Sequence, residues 1–189
     1  RIRARINTAL SVLGYVNGIK TFLYLGDSLT QGYNGAIPYS TPLKAKTGWT
    51  GRHANSGLSG TLASTIATNI TTLSEPLRPD SLYSTRGLVF IWAGTNDLRN
   101  GVASATVLTS LRTIWAKLRT DGYRVIVLTI LPRADAGWTG AMETERLALN
   151  VAIAADSANW DALIPTPTIF PDPNDLTYFQ ADKLHLNTF

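Results

Sequence analysis

The chain has no cysteine, and only two of its 189 residues, His53 and His185, are histidines. The first absence excludes a disulfide framework, a thiolate nucleophile and a zinc site built on cysteine. The second argues against a metal site assembled from several imidazoles. Neither fixes the compartment. No apolar run approaches the roughly 18 residues that span a bilayer; the longest, Val125 to Leu131, reads as a buried parallel strand. Nucleotide-binding loops are missing as well, since neither G-x-x-x-x-G-K-[ST] nor G-x-G-x-x-G occurs. A concentrated positive charge is also lacking. The net charge is +4, but Arg1, Arg3 and Arg5 supply three of those four charges. Elsewhere no cluster of Lys and Arg alternates with aromatics as a phosphate-tracking groove requires, so no nucleic-acid partner is expected.

The hydrophobic fraction of 44% and charged fraction of 16% describe an ordinary globular chain whose length suits one domain. Apolar runs and helical periodicities alternate along it. Strands are expected at Thr21 to Leu25, near Arg52 to Asn55, at Leu88 to Trp92, Arg124 to Ile130 and Ala162 to Ile164. Between them, Leu62, Ile66, Ile70 and Leu73 repeat at helical spacing, with Thr61 or Ser59 as cap and Pro76 beyond the end. Further helices are expected over Ala103 to Asp121 and Thr139 to Asn159, and a polar, turn-rich loop after the first strand, through Pro38 and Pro42 to Gly51. Strands that are apolar throughout, separated by helices, imply a parallel sheet covered on both faces.

Two segments carry the chemistry. The first apolar run stops at Gly26, and Ser28 follows within Gly26-Asp27-Ser28-Leu29-Thr30. A strand that ends abruptly presents its next side chains at the C-terminal edge of the sheet, where open α/β folds bind ligands. A serine hydroxyl is a poor nucleophile until an adjacent base takes its proton, and that base needs a third group to orient it. Asp182-Lys183-Leu184-His185 supplies both, a carboxylate three residues before an imidazole. Ser28 is therefore the candidate nucleophile, His185 the general base and acid, and Asp182 the acceptor of its Nδ1–H. The plain alternatives are a serine capping the next helix and an imidazole in a C-terminal loop. Asp27 is expected to hold the turn through nearby backbone N–H groups, and His53, with no acid at useful spacing, to be structural or surface.

Asn55-Ser56-Gly57-Leu58-Ser59-Gly60 and Gly94-Thr95-Asn96-Asp97 complete the pattern. In order, GDSLT, the glycine of NSGLSG, GTND and DKLH resemble the four sequence blocks of the SGNH (GDSL) hydrolase family, over residues 21 to 186. The α/β-hydrolase motif G-x-S-x-G fits less well, because Thr30 stands where its last glycine belongs. The resemblance implies a three-layer α/β/α sandwich on a five-stranded parallel sheet of flavodoxin-like order. It implies a cofactor-independent serine esterase with no metal. It assigns an oxyanion hole to the backbone N–H groups of Ser28 and Gly57 and the side-chain amide of Asn96. A glycine permits close approach and a free φ, and an asparagine after a strand end offers two donors. Thr95 and Asp97 are expected to shape their loop.

Polar, Gly-rich loops over residues 33 to 52 and 132 to 140 point to a small acyl group, with acetyl on a saccharide as the expected ester. Tyr33, Trp49, Trp92, Trp138 and Tyr178 lie in or near loops that would rim a cleft, or else belong to the core. A non-catalytic carbohydrate-binding or structural module of a larger surface protein is the alternative from another class. Acyl transfer by the same triad is a third.

Residues 1–20 are expected to form an N-terminal amphipathic helix or extension, with Ile2, Ile6, Leu10 and Leu13 on one face, and residues 21–189 the hydrolase domain. Family members usually continue into a C-terminal helix beyond the catalytic histidine, whereas this sequence stops four residues after His185. Either the sequence is a fragment, or the N-terminal helix, a neighbouring module or a second chain is expected to cover that face. Arg rather than Met at position 1 suggests processing or excision from a longer chain. A secreted or surface-associated location is expected.

Overall fold

The computed structural model describes residues 21–33, 36–47, 51–75 and 87–187. The expected N-terminal helix and Trp49 lie outside these. Five parallel strands form one sheet: β1 (Thr21–Gly26), β2 (Arg52–Gly57), β3 (Gly87–Trp92), β4 (Tyr123–Leu128) and β5 (Ala162–Ile164). Their order is β2-β1-β3-β4-β5, the flavodoxin-like arrangement expected above. Every β1 and β3 residue is buried, whereas edge strand β2 is half-exposed, as the continuous apolar runs of the inner strands dictate.

The helices are α1 (Ser28–Gln31), α2 (Ser40–Thr47), α3 (Ala63–Ser74), α4 (Thr95–Arg99), α5 (Ser104–Thr120) and α6 (Gly140–Ala155), with a 3₁₀ turn at Thr166–Thr168. Because side chains alternate across a strand, each strand feeds two cores. Leu23, Leu25, Val89, Ile91, Val125 and Val127 face a layer of α3, α5 and α6, which contribute Ile66, Ile70, Leu111, Trp115, Leu149 and Ile153. Phe22, Tyr24, Phe90, Trp92 and Ile126 face the other way, against Leu29, Leu43, Ile169, Phe170 and Phe179. This second core is aromatic. The Tyr24 and Phe90 rings stack at 5.2 Å, and Tyr39 meets Trp92 edge-on at 5.7 Å. His53 is structural, stacked on Phe22 at 4.5 Å with its Nδ1 3.1 Å from the Tyr24 hydroxyl.

Three sequence expectations need correction. The loop from Pro38 to Gly51 contains α2. Pro42 falls in its first turn, where a missing N–H costs nothing, and buried Leu43 anchors an otherwise polar segment. Neither Thr61 nor Ser59 caps α3. Its start is capped from another loop, the Ala63 N–H donating to Asp97 Oδ2 at 2.8 Å. Finally, α6 stops at Ala155 rather than Asn159, where the Trp160 indole N–H donates to the Ile153 carbonyl at 3.0 Å.

Candidate active site

In this strand order the chain leaves β1 toward β2 on one side and returns to β3 on the other. The crevice this opens at the carboxyl ends of the strands is where α/β sheets bind ligands. Each candidate residue lies at or just beyond this edge. Ser28 follows β1, the NSGLSG segment ends β2 and continues past it, Asn96 follows β3, and the segment bearing Asp182 and His185 folds back from beyond β5.

Ser28 opens α1. Asp27 is the N-cap, its Oδ1 accepting the Leu29 N–H at 3.0 Å, which is the turn-holding role expected of it. Asp27 is fully buried and its Oδ2 has no hydrogen-bond partner among the described residues. Burial pushes its carboxyl up to about 7, against the opposing pull of the Leu29 N–H and of Arg133.

His185 lies between Ser28 and Asp182. Its Nε2 is 2.8 Å from Ser28 Oγ, and its Nδ1 is 2.6 Å from Asp182 Oδ2. The loop carrying it is built by Asp182, whose Oδ1 accepts the N–H groups of both Leu184 and His185 at 3.0 Å. Lys183, between them, takes φ 58°, the left-handed region that a side chain ordinarily avoids. Burial raises the Asp182 carboxyl, but the hydrogen bonds from the His185 ring and the two backbone N–H groups outweigh it, so the net shift is downward. Asp182 is thus held ionised beside the imidazole.

The NSGLSG loop differs from expectation. The Gly57 N–H donates to Asn55 Oδ1 at 2.9 Å, so it is already engaged. Nor does Gly57 need an unusual φ. Its missing side chain is required because a Cβ would sit 2.3 Å from the Gln31 backbone nitrogen of α1. Gly60 behaves otherwise: it sits in an exposed turn at φ 74°, and its N–H meets no acceptor among the described residues. Asn96 reaches this same turn, its Nδ2 donating to the Thr61 carbonyl at 3.1 Å, with its second N–H unengaged among the described residues. The Ser28 N–H, at the first position of a helix, likewise has no partner among them. Positive φ at the second glycine is the signal that distinguishes Gly60, and sequence alone does not report φ.

Sequence reasoning also passed over Arg133. It is buried, forms a bidentate pair with Asp135 (Nε–Oδ1 2.5 Å, Nη2–Oδ2 2.8 Å), and lies 4.7 Å from the Trp138 ring centre. Its Nη1 donates to Thr95 Oγ1 at 3.0 Å. One residue on, the Ala134 N–H donates to the Lys183 carbonyl at 3.2 Å. The loop after β4 therefore ties the Asn96 loop to the His185 loop. Asp97 caps α3 and Thr95 receives Arg133, so both shape the loop.

Of the aromatics expected near the rim, Trp92 is core, Trp138 is partly buried and hydrogen-bonded to Glu143, and Tyr178 packs edge-on against Phe170. Among the described ones Tyr33 alone is exposed, and it lies over His185. Among the described residues no group of three or more His, Asp or Glu side chains is placed to hold a metal ion. No helix among them is long and apolar enough to cross a membrane.

Comparison with known proteins agrees with this fold. No curated protein matches the chain. Several solved structures share its fold. TesA is 24% identical, with 88% of this chain and 89% of that one aligned at a TM-score of 0.68. AlinE4, an SGNH-hydrolase family esterase, is 23% identical, over 88% and 86%, at 0.67. The psychrotrophic esterase EstA from Pseudoalteromonas sp. is 19% identical, over 89% and 88%, at 0.68. At such identities the likeness establishes the fold, and membership rests on the sequence profile. Residues 24–188 match that of the GDSL-like Lipase/Acylhydrolase family, so the chain belongs to this family of ester hydrolases.

Proposed function

We propose that this protein is a serine esterase that cleaves carboxylic esters of small acyl groups through an acyl-enzyme. One observation carries the reading. Ser28, His185 and Asp182 form a continuous hydrogen-bonded line although Ser28 and His185 are 157 residues apart in the chain. In the first half-reaction His185 Nε2 takes the Ser28 proton as Oγ attacks the ester carbonyl. Asp182 stays ionised and stabilises the imidazolium. Collapse of the tetrahedral intermediate expels the alcohol, which takes the proton from Nε2, and leaves the acyl group on Ser28. Water then repeats the sequence, His185 removing its proton, and the free acid leaves.

The developing oxyanion needs donors that are uncommitted beforehand. The Ser28 N–H, the second N–H of Asn96 and the Gly60 N–H meet that condition, and Gly57 does not. We assign the hole to Ser28, Asn96 and Gly60. The small-acyl preference, with acetyl on a saccharide as the proposed ester, is supported by the polar loop after β4, where Arg133, Asp135 and Arg99 lie beside the Asn96 loop.

The test is hydrolysis of p-nitrophenyl acetate, butyrate and octanoate by wild type and Ser28→Ala at about pH 8. The expected result is a rate that falls with acyl length and drops about a thousandfold or more in Ser28→Ala. Wild type no faster than the variant on every ester would end the catalytic reading. Adding a competing alcohol and analysing the products separates hydrolysis from acyl transfer.

A further inference from the structure

The hydrogen bonds to His185 lie in the plane of its ring, one at each nitrogen. They direct the two nitrogens, while rolling of the ring about its Cβ–Cγ bond, which would misdirect Nε2 from Ser28 Oγ, is limited by what packs on its faces. Something must bear on a face of the ring. Tyr33 does so: the two ring centres are 4.3 Å apart and the planes 26° from parallel, a stacked contact.

Tyr33 is itself held by the segment it supports. Its carbonyl accepts a hydrogen bond from Gln180 Nε2 at 3.3 Å, and the same amide nitrogen donates to the Leu186 carbonyl at 3.2 Å. The Gln180 backbone N–H donates to the His185 carbonyl at 2.7 Å. Gln180 thus clips the loop after α1 to the carbonyls of His185 and Leu186. Tyr33 is 40% exposed, so the clip and the stacking, not burial in the core, determine its place.

We infer that Tyr33 is a positioning residue for the general base: it stops the imidazole from rolling and offers its π-face to the imidazolium that forms during proton transfer. The inference rests on the serine-esterase reading above. An aromatic face attracts a cation placed over it, and that attraction is absent for the neutral ring. The contact is therefore stronger in the transition state than in the ground state, so it acts on kcat rather than KM. The hydroxyl plays no part in the argument; the ring does.

Three measurements on the full chain test this. The first compares kcat and KM on p-nitrophenyl acetate for wild type, Tyr33→Leu and Tyr33→Phe. Tyr33→Leu is expected to lose about tenfold in kcat with KM nearly unchanged, and Tyr33→Phe to recover most of that loss. The second is proton NMR, where the His185 ring protons of wild type are expected upfield, under the Tyr33 ring current, and to move downfield in Tyr33→Leu. With only two histidines in the chain, a His53→Gln variant assigns the signals. The third is thermal unfolding of each variant. Wild-type kcat in a folded Tyr33→Leu overturns the inference, as does an equal loss in Tyr33→Phe. If Tyr33→Leu does not fold, wild-type His185 protons at unshifted positions overturn it, and upfield positions with an active Tyr33→Phe support it. A wild type inactive on every ester removes the esterase reading, and this inference with it.

Discussion

Asp182 grips His185 at two points: Oδ1 accepts its backbone N–H at 3.0 Å, while Oδ2 meets its ring Nδ1 at 2.6 Å. One carboxylate both holds the turn and meets the imidazole.

These two jobs separate by mutation. Asp182→Asn keeps an oxygen for the Leu184 and His185 N–H groups but places an amide where Nδ1–H must be accepted. Its kcat is expected to fall by about 10⁴, the loss typical of a wrong tautomer, with little change in Tm. Asp182→Ala also removes the turn acceptor and should lose a further 1–2 kcal/mol or so of folding stability. Steady-state kinetics beside thermal unfolding distinguishes the two. Equal Tm losses would show that the turn does not depend on Oδ1.

The two glycines of NSGLSG should differ sharply. In Gly57→Ala a Cβ would lie 2.3 Å from the Gln31 nitrogen and 2.7 Å from the Thr30 carbonyl carbon, so α1 must shift. A loss of about 3 kcal/mol is expected, read by denaturant unfolding. A Cβ on Gly60 meets open space, and the cost there is about 1 kcal/mol for its φ of 74°. Gly60→Ala should reduce kcat through a displaced N–H while Tm changes little. An unaltered kcat would remove Gly60 from the oxyanion hole.

Asn96→Ala deletes a proposed oxyanion donor and the bond to the Thr61 carbonyl. The transition state should lose about 2.7–4 kcal/mol, or roughly a hundred- to thousandfold in kcat. Binding of substrate should change far less, because the charge it meets exists only in the transition state.

Asp27 gives the folded protein a pH dependence of definite sign. Its carboxyl is raised from 3.8 to about 7, chiefly by burial. Between those values the folded state holds the proton more tightly than the unfolded chain, so stability falls as pH rises and the penalty is complete above about 7. Asp27→Asn removes the ionisation. The Tm of the variant minus that of wild type should therefore grow from pH 5 to pH 8, a trend of roughly several degrees. A difference independent of pH would mean that Asp27 is paired when ionised.

Arg133 links two loops through Thr95 and Asp135. Arg133→Met leaves Asp135 with Arg99 at 3.5 Å as its remaining ion pair among the described residues. A loss of about 3 kcal/mol is expected, with kcat reduced through the loosened Asn96 loop. Arg133→Lys should not restore it, because an ammonium cannot hold Asp135 bidentately and reach Thr95 at once.

Much of the fold was legible because its signals are local. The inner strands β1, β3 and β4 are apolar on both faces and read directly as a parallel sheet. The periodicity of α3 and α5 located both helices to within a residue or two. Where tertiary contacts overrode local preference, the reading missed. Polar α2 is a helix because Leu43 has a core to enter, α3 is capped by Asp97 from 34 residues away, and α6 is cut short by the Trp160 indole.

The site divides along the same line. Sequence by itself determined the fold class, the family, and the candidates Ser28, Asp182, His185 and Asn96, because a strand end, a three-residue turn and a motif order are properties of short segments. The tertiary structure alone decided which glycine keeps a free N–H, that Arg133 binds the Asn96 loop to the His185 loop, and that Tyr33 covers the imidazole. Each of these depends on where a hydrogen bond or ring face is left after packing, and packing joins residues that no local pattern relates.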